Sequence, residues 1–253
     1  MSVTPSDGIA WITGASTGIG AAVAERLVTE GWTVAVTARG AEKLQALASK
    51  HAGRIIAAPG DIADAASIKA VVARIEAEAA RPIALAILNA GYWHEMGAED
   101  FDLAEFRTTM EVNLIGTAAT LDAIMAPMMD RRRGHIAIVA SVAGYRGLPR
   151  AVAYGASKSA LISMAESLEP DLKRHGVVMT VINPGFVRTP MTAENAFPMP
   201  FMLEVDDAAR RIVRGLSRGG FEVAFPWQLV WPLKLLALLP HAAFAWLMSR
   251  AAK

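Results

Sequence analysis

The sequence predicts one α/β domain built on a doubly wound parallel sheet. Short apolar segments alternate along the chain with longer segments in which apolar residues recur every three or four positions, a pattern typical of strands joined by crossover helices. The strand segments are mostly apolar, as in a sheet that helices cover on both faces. With 253 residues, the chain is long enough for one such domain with a large core. We therefore expect a Rossmann-type, three-layer αβα sandwich that binds its ligands beyond the carboxyl ends of the strands.

The individual elements follow from this alternation in order. A strand at residues 9–13 leads into a glycine-rich turn, and a helix begins after the turn with its apolar residues spaced for one buried face. Further strands are predicted at residues 33–38, 54–58, 83–89, 135–140 and 177–183, and helices at residues 41–51, 64–80, 102–130 and 152–175. Asp61, Asn89, Ser141 and Pro184 fall at or just past strand ends, where a parallel sheet places its ligand-binding residues.

Three glycines, Gly14, Gly18 and Gly20, follow the first strand with the spacing G-x-x-x-G-x-G. Glycine lets the backbone approach a pyrophosphate closely, and the helix that follows offers free N–H groups and the positive end of its dipole. The turn therefore predicts a dinucleotide site. The alternative is an ordinary glycine-rich connection between a strand and a helix.

Arg39 ends the second predicted strand and has no acidic residue beside it. A free ribose 2′-hydroxyl usually meets an Asp or Glu about 20 residues past the turn, whereas a 2′-phosphate meets an Arg. A planar guanidinium that is always charged suits a phosphate. Arg39 therefore favours NADP(H) over NAD(H), the alternative being a solvated loop arginine.

Tyr154 and Lys158 lie four residues apart on a predicted helix and so share a face. A nearby ammonium favours the phenolate and lowers the pKa of a tyrosine, which is otherwise about 10. Ser141, thirteen residues before Tyr154, could hold a substrate oxygen while Tyr154 gives or takes its proton. The three residues predict proton transfer at a carbonyl or alcohol oxygen, whereas the tyrosine and lysine alone also fit an ordinary surface helix.

With these motifs in this order, the chain resembles the classical short-chain dehydrogenases/reductases over residues 8–225. Residues 13–20 are similar to the family's T-G-x-x-x-G-x-G motif, residues 89–91 to its N-A-G motif and residues 154–158 to its Y-x-x-x-K motif. The resemblance implies a catalytic set of Asn113, Ser141, Tyr154 and Lys158, in which Asn113 holds a water of the proton relay. With Arg39 added, the predicted cofactor-binding residues are Gly14, Ser16, Thr17, Gly18, Ile19, Gly20, Arg39, Asp61, Ile62, Asn89, Ala90, Gly91, Tyr154, Lys158, Pro184, Gly185, Val187 and Thr189.

Two features depart from the family pattern. Thr17 stands where many NADP-dependent members have a basic residue, so the NADP(H) prediction depends on Arg39. The chain also ends differently from the usual soluble tetrameric members. Because a contiguous apolar patch marks an interaction site and the end of this chain is apolar, we expect a homodimer or a higher homo-oligomer. It would pair through residues 102–130 and 152–175, the family's usual pairing surface.

The end of the chain is an apolar extension, residues 226–253, to a catalytic domain at residues 1–225. It contains Trp227, Trp231 and Trp246, and prolines at 226, 232 and 240 divide it into pieces too short to span a bilayer. One interpretation is packing against the domain or a partner subunit. The other is a helix pair on a membrane surface, which the tryptophans and the terminal Arg250 and Lys253 would suit.

Composition excludes several classes of protein. The absence of cysteine excludes disulfides, thiol nucleophiles and cysteine-ligated metals, and the five histidines lack metal-ligand spacing, so no metal site is expected. A net charge of +1 gives no reason to expect nucleic-acid binding. Residues 1–7 contain neither a basic region nor an apolar run, so we expect no signal peptide and a cytoplasmic protein, with peripheral membrane contact as the alternative.

The sequence thus predicts an NADP(H)-dependent oxidoreductase that interconverts a carbonyl and a secondary alcohol on a hydrophobic small molecule, with Tyr154 as proton donor and acceptor. Trp93, Tyr145, Met191 and Phe197 would suit such a substrate. One alternative is a 3-oxoacyl thioester reductase of fatty-acid type, disfavoured because a carrier protein calls for a basic docking patch rather than an apolar tail. The other is a non-catalytic dinucleotide sensor or scaffold, disfavoured by the complete catalytic set.

Overall fold

A computed structural model describes residues 3–193, 195 and 197–251. The strands are β1 Ile9–Thr13, β2 Val34–Thr37, β3 Ile55–Ala57, β4 Ile83–Leu88, β5 Gly134–Val139, β6 Val177–Pro184 and β7 Glu222–Phe225. The α-helices are α1 Gly18–Thr29, α2 Ala41–Lys50, α3 Ala65–Ala79, α4 Leu103–Met110, α5 Gly116–Asp130, α6 Val152–Arg174, α7 Val205–Arg218, α8 Trp227–Ala237 and α9 His241–Ala251. Lys253, named above for its charge, lies outside the described residues.

All strand pairs described are parallel, and the sheet order is β3-β2-β1-β4-β5-β6-β7. The chain moves outward in one direction from β1 to β3 and in the other from β4 to β7. The order therefore reverses between β1 and β4, where the connecting segments leave a crevice at the carboxyl ends of both strands. This is the doubly wound sheet that the sequence predicts, and the prediction is confirmed.

Helices cover both faces of the sheet because successive strand residues point to opposite sides. In β1, Ala10 and Ile12 pack into the core under α1, α2 and α7, whereas Ile9 and Trp11 pack into the core under α3, α5 and α6. All four side chains are fully buried, which accounts for the continuous apolar character of the strand.

The sequence analysis missed two elements and divided another too coarsely. Helix α7 and strand β7 were not predicted. Asp206, Arg210 and other charged residues dominate α7, and its buried face consists of small and branched residues four apart. The helix predicted at 102–130 is α4 and α5 joined through a π-helical turn, Glu111–Ile115. The hydrogen bonds of a π-helical turn join residues five apart, so this turn contains one residue more than a turn of α-helix.

The long α4–α5 stretch, Leu103–Asp130, is long and apolar enough to cross a membrane by length and composition alone. In this fold it is a core helix. Leu121, Ile124 and Met128 are buried against the sheet. Packing within the sandwich thus accounts for the apolar residues on its buried face, whereas Leu103 and Ile115 are exposed.

The apolar extension forms a pair of helices, α8 and α9, packed on the domain by one face. Pro232 does not divide it as expected, since α8 continues through this proline. Val230 and Phe244 are buried, whereas Trp227, Trp231, Leu235, Leu238 and Trp246 are exposed by 57% to 81%. The extension therefore has one face against the domain and one apolar face outward.

Arg146 attaches this extension to the domain. Its guanidinium donates hydrogen bonds to the carbonyl oxygens of Leu236, Ala237 and Leu239 at 3.2, 2.7 and 2.7 Å. It also lies 4.2 Å from the ring centroid of Phe244. A cation at the carboxyl end of a helix satisfies carbonyls that the helix leaves without a partner, so this contact stabilises the end of α8.

Candidate active site

A cleft of about 870 Å³ opens at the carboxyl ends of the strands, across the point where the strand order reverses. Most of the predicted site residues line it: Gly14, Ser16, Thr17, Gly18, Ile19, Arg39, Asp61, Ile62, Asn89, Ala90, Gly91, Ser141, Tyr154, Lys158, Pro184, Gly185, Val187 and Thr189. Gly20 and Asn113 do not line the cleft and lie behind its wall.

The glycine turn after β1 brings backbone to the surface of the cleft. Gly14 has φ 67°, and a Cβ there would lie 2.5 Å from the Cα of Ala90, so glycine alone fits. A Cβ at Gly20 would lie 2.6 Å from both the Asn89 Nδ2 and the Gly14 carbonyl oxygen. Thr17 precedes α1 without a side-chain cap, and the first turn of α1 contains no acidic residue. The free N–H groups and the close backbone fit a dinucleotide pyrophosphate.

Asn89 connects this turn to the end of β4. Its Nδ2 donates to the carbonyl oxygens of Thr13 and Gly14, both at 3.1 Å. The Thr13 hydroxyl in return accepts from the backbone N–H groups of Asn89 and Ala90 at 3.1 and 3.2 Å. Asn89 therefore fixes the turn from behind, in addition to lining the cleft.

At the far end of the cleft, Arg39 follows β2 and is exposed. Asp61 accepts the backbone N–H of Ala63 at 3.1 Å. Ile62 is buried under Gly116, where a Cβ would lie only 2.9 Å from the Ile62 side chain. This end of the cleft therefore has polar side chains, Arg39 and Asp61, at its opening and the apolar Ile62 at its base.

The sequence analysis missed one cation at this end. Lys43, in the first turn of α2, lines the same cleft as Arg39 and is exposed. Its position four residues after Arg39, at the predicted start of a helix, was the available signal. Glu42 beside it also lines the cleft, so the local charge is mixed rather than purely positive.

Ser141, Tyr154 and Lys158 meet at the other end. Ser141 follows β5, and its Oγ accepts the backbone N–H of Ala143 at 3.1 Å. Tyr154 and Lys158 lie on α6, with the Lys158 Nζ 5.4 Å from the centroid of the tyrosine ring. The ammonium donates to the Val139 carbonyl oxygen at 2.8 Å and is 3% exposed. The expected shared face of the tyrosine and lysine is thus present.

The electrostatics of this pair differ from the expectation. Burial raises the pKa of Tyr154, and a hydrogen bond from Ser141 opposes the rise. Burial also lowers the pKa of Lys158 to about 8. The predicted net lowering of the Tyr154 pKa is therefore wrong for the chain by itself, because desolvation of the phenol outweighs the hydrogen bond from Ser141.

Asn113 acts from behind the site. It is fully buried in the π-helical turn, and its side chain accepts the Tyr92 N–H at 2.7 Å and donates to the Tyr92 carbonyl at 3.0 Å. It also donates to Ser157 Oγ at 2.9 Å, next to Lys158 in sequence. Asn113 thereby joins the segment after β4 to α6. Its predicted water-holding role stays a prediction.

The segment after β6 forms the wall opposite Tyr154. A Cβ at Gly185 would lie 2.7 Å from Leu229 of α8, and one at Gly18 would lie 3.2 Å from Thr189. Thr189 begins a short 3₁₀ turn closed by reciprocal hydrogen bonds with Thr192. The glycine turn, this wall and the extension are therefore in direct contact.

Aromatic residues surround Tyr154 on the side away from the glycine turn. The Trp93 ring lies edge-on at 4.9 Å from the Tyr154 ring centroid, and Phe197 lies 6.3 Å beyond Trp93. Tyr145 does not join them. Its hydroxyl donates to Glu222 at 2.6 Å, away from the cleft, so its expected substrate contact is not supported.

Comparison with known proteins agrees with this geometry. The chain matches the model of the short chain dehydrogenase family over residues 8–198. A Myxococcus xanthus (strain DK1622) protein named an uncharacterized oxidoreductase is 39% identical over 238 residues, covering 93% of this chain and 94% of that protein. A short-chain dehydrogenase from Burkholderia cenocepacia J2315, solved in complex with NADP, superposes with a TM-score of 0.84 at 27% identity, covering 97% of this chain and 99% of that one. Another, from Streptomyces avermitilis, superposes with a TM-score of 0.76 at 25% identity over 89% and 91% of the two chains.

Proposed function

Because the chain belongs to the short-chain dehydrogenase/reductase family and is an NAD(P)-dependent oxidoreductase, we propose that it uses NADP(H) to interconvert a carbonyl and a secondary alcohol on a hydrophobic small molecule. One observation supports this most. Ser141, Tyr154 and Lys158 converge in the same continuous cleft that the glycine turn and Arg39 line. A dinucleotide that extends along this cleft from the glycine turn would bring its nicotinamide close to Tyr154. Hydride transfer and proton transfer could then occur on neighbouring atoms of one substrate.

The residues of the chain have distinct tasks in this reaction. When bound, NADPH supplies the hydride that reduces the carbonyl carbon. The Tyr154 hydroxyl gives its proton to the carbonyl oxygen, so that C=O becomes CH–OH, and Tyr154 takes the proton back in the reverse direction. Without a substrate, the Ser141 hydroxyl lies 3.4 Å from the Pro184 carbonyl oxygen and within hydrogen-bond reach of Tyr154, and it would turn its hydrogen to the substrate oxygen on binding. The Lys158 ammonium stabilises the tyrosinate left behind.

The predicted site residues are proposed to hold the cofactor along the cleft. The free N–H groups of α1 would bind the pyrophosphate, and Lys158 would contact the nicotinamide ribose. Arg39, with Lys43 beside it, would bind the 2′-phosphate through charge-assisted hydrogen bonds. In its favour, Arg39 has no hydrogen-bond or ion-pair partner among the described residues, so its guanidinium is available.

The apolar side chains near Tyr154 support a hydrophobic substrate. Trp93, Phe197 and Phe186 form a row of rings, with 6.0 Å between the centroids of the two phenylalanines. Met191 lines the cleft and is 43% exposed. Such surfaces bind apolar ligands and need few polar contacts to orient them.

A panel of ketones, quinones, steroids and acyl thioesters, assayed with NADPH by absorbance at 340 nm, tests the proposal. We expect turnover of at least one apolar ketone and weak or no turnover of acyl thioesters. Preferred turnover of a 3-oxoacyl thioester would indicate a fatty-acid type reductase. No turnover despite tight NADPH binding would support a sensor or scaffold.

We further propose that the protein is a cytoplasmic homo-oligomer. Its catalytic domain would comprise residues 1–225, and the apolar extension would begin at residue 226. Leu103 on α4, Ile115 in the π-helical turn and Val152 on α6 are exposed by 53%, 49% and 39%, and they support pairing through these helices. The outward face of α8 and α9 would lie against a partner or on a membrane surface. Deleting residues 226–253 tests both parts. A truncated protein that remains dimeric, active and as indifferent to liposomes as the full chain would contradict any role for this face.

A further inference from the structure

Trp93 packs against Tyr154, the proposed proton donor. It follows the Asn89-Ala90-Gly91 segment, and its indole meets the phenol ring at an interplanar angle of 89°, with 4.9 Å between the ring centroids. This is direct edge-to-face contact, since aromatic pairs prefer centroid separations of about 4.5 to 7 Å. One of the two groups bonded to a carbonyl carbon at the Tyr154 hydroxyl would therefore come close to this indole.

The indole is held in place from the other side. Its Nε1–H donates to Asn195 Oδ1 at 2.9 Å, in the segment between Thr189 and Leu203. Asn195 in turn donates to the Met199 sulfur at 3.5 Å. Phe197 lies behind Trp93, at 6.3 Å between centroids. The hydrogen bond and the ring contact stabilise the position of the indole against Tyr154.

The side of the site that faces the cleft is open. Met191 is 43% exposed and lines the main cleft, as do Thr108 and Val112, whereas Trp93 and Phe197 do not line it. Free space therefore lies on the cleft side of Tyr154, and side-chain volume lies on the Trp93 side. The two substituents of a bound ketone would meet unequal room.

We infer that Trp93 is a specificity-determining residue that limits the substituent on its side of the carbonyl to a small group, while the larger substituent extends along the open side. The inference rests on the proposed function, since it assumes that the carbonyl oxygen lies at Tyr154 and Ser141. It assigns the substrate class as methyl ketones, aldehydes and the matching alcohols that bear one large apolar group. The hydrogen bond to Asn195 makes this limit rigid.

Two isomeric ketones test it. 2-Nonanone and 5-nonanone have the same atoms and nearly the same apolar area, but the smaller substituent is a methyl group in one and a butyl group in the other. We expect the wild-type enzyme to have a kcat/KM for 2-nonanone at least about tenfold above that for 5-nonanone, since one misplaced methylene changes discrimination by about 10- to 200-fold. Trp93→Ala should reduce this ratio by about tenfold or more, mainly by raising the value for 5-nonanone.

Two milder variants separate volume from the hydrogen bond. Trp93→Phe keeps a ring but removes the N–H, and Asn195→Ala removes the acceptor and keeps the indole. Each should relax the ratio less than Trp93→Ala does. Their effects should not add in the double variant, because both break one contact. Trp246→Ala, an exposed tryptophan of α9, is the matched control and should leave the ratio unchanged.

The outcomes distinguish the two proposals. If the wild-type enzyme reduces both ketones equally, or if Trp93→Ala lowers both values in proportion while NADPH affinity is retained, the role of Trp93 is overturned and the proposed function stands. If neither these ketones nor any member of the wider panel is reduced, the proposed function fails and the inference fails with it.

Discussion

At the glycine turn the cleft is formed by backbone, whereas around Tyr154 it is formed by side chains. Gly14 and Gly20 leave no space for a Cβ, and the groups they present are the N–H groups at the start of α1. Around Tyr154, by contrast, Ser141, Lys158 and Trp93 come from three different elements and meet only in the folded chain.

This difference explains how the glycine turn can bind any dinucleotide while the region around Tyr154 selects a particular substrate. Backbone groups bind a pyrophosphate that is the same in every dinucleotide, and they tolerate little change. Side chains can be exchanged singly, so the end around Tyr154 can differ in substrate while its proton-transfer groups stay in place. Substitutions at the two ends should therefore have separable effects.

The largest effect is expected at the side-chain end. Tyr154→Phe removes the proton donor and keeps the ring that contacts Trp93, so kcat should fall by about 10²- to 10⁴-fold with nearly unchanged NADPH affinity. Steady-state kinetics and a fluorescence titration of NADPH measure the two quantities. Tyr145→Phe, whose hydroxyl bonds Glu222 outside the cleft, is the matched control. Substantial turnover in Tyr154→Phe would require another acid at the site.

The backbone end should respond in the opposite way. Gly14→Ala places a Cβ 2.5 Å from the Cα of Ala90 at φ 67°, so the turn must shift. We expect NADPH affinity to fall by at least about tenfold and the free energy of unfolding to fall by about 1–3 kcal/mol. Gly147→Ala, where a Cβ would meet nothing within 4 Å, should change neither quantity. Normal NADPH binding by Gly14→Ala would contradict a backbone-formed cradle.

The same contrast explains what the sequence could predict. The glycine turn, the parallel sheet and the convergence of Ser141 with the helix of Tyr154 are local patterns or follow from strand ends meeting at one edge. Helix α7 was missed because its charged residues hide a narrow apolar face. The Trp93 contact with Asn195 joins residues 102 positions apart, and the raised pKa of Tyr154 depends on burial that sequence spacing does not reveal.

A smaller effect is expected at the adenosine end, where a side chain and not the backbone selects the cofactor. Arg39→Asp replaces attraction for a 2′-phosphate with repulsion and offers an acceptor to a ribose hydroxyl. NADPH affinity should fall by about 10- to 100-fold, and the ratio of NADPH to NADH affinity should fall further because NADH binding improves. Lys43→Ala should lower NADPH affinity less than Arg39→Asp does, since Lys43 lies four residues further along, in the first turn of α2. Equal wild-type affinities for the two cofactors would make Arg39 a solvated loop residue.

The smallest effect concerns stability. Burial lowers the pKa of Lys158 from 10.5 to about 8, so below about pH 8 the folded chain holds a buried ammonium. Between these two pKa values the unfolded chain binds more protons than the folded chain, and the free energy of unfolding therefore rises with pH through this window. Lys158→Met removes the penalty together with the hydrogen bond to Val139, at 2.8 Å. It should also inactivate the enzyme, because the ammonium that would stabilise the tyrosinate is lost.

We expect the cofactor-free Lys158→Met variant to be more stable than the wild type at pH 7 by on the order of 2 kcal/mol, because the burial penalty exceeds the value of one hydrogen bond. The advantage should shrink as the pH approaches 10. Urea unfolding of both proteins at pH 7 and pH 10 measures it, with the exposed Lys173→Met in the same helix as the control. An advantage independent of pH would contradict a penalty from the buried charge, and a variant that is less stable at pH 7 would mean that Lys158 stabilises the fold. The side chains around Tyr154 would then be needed for stability, as the backbone of the glycine turn is.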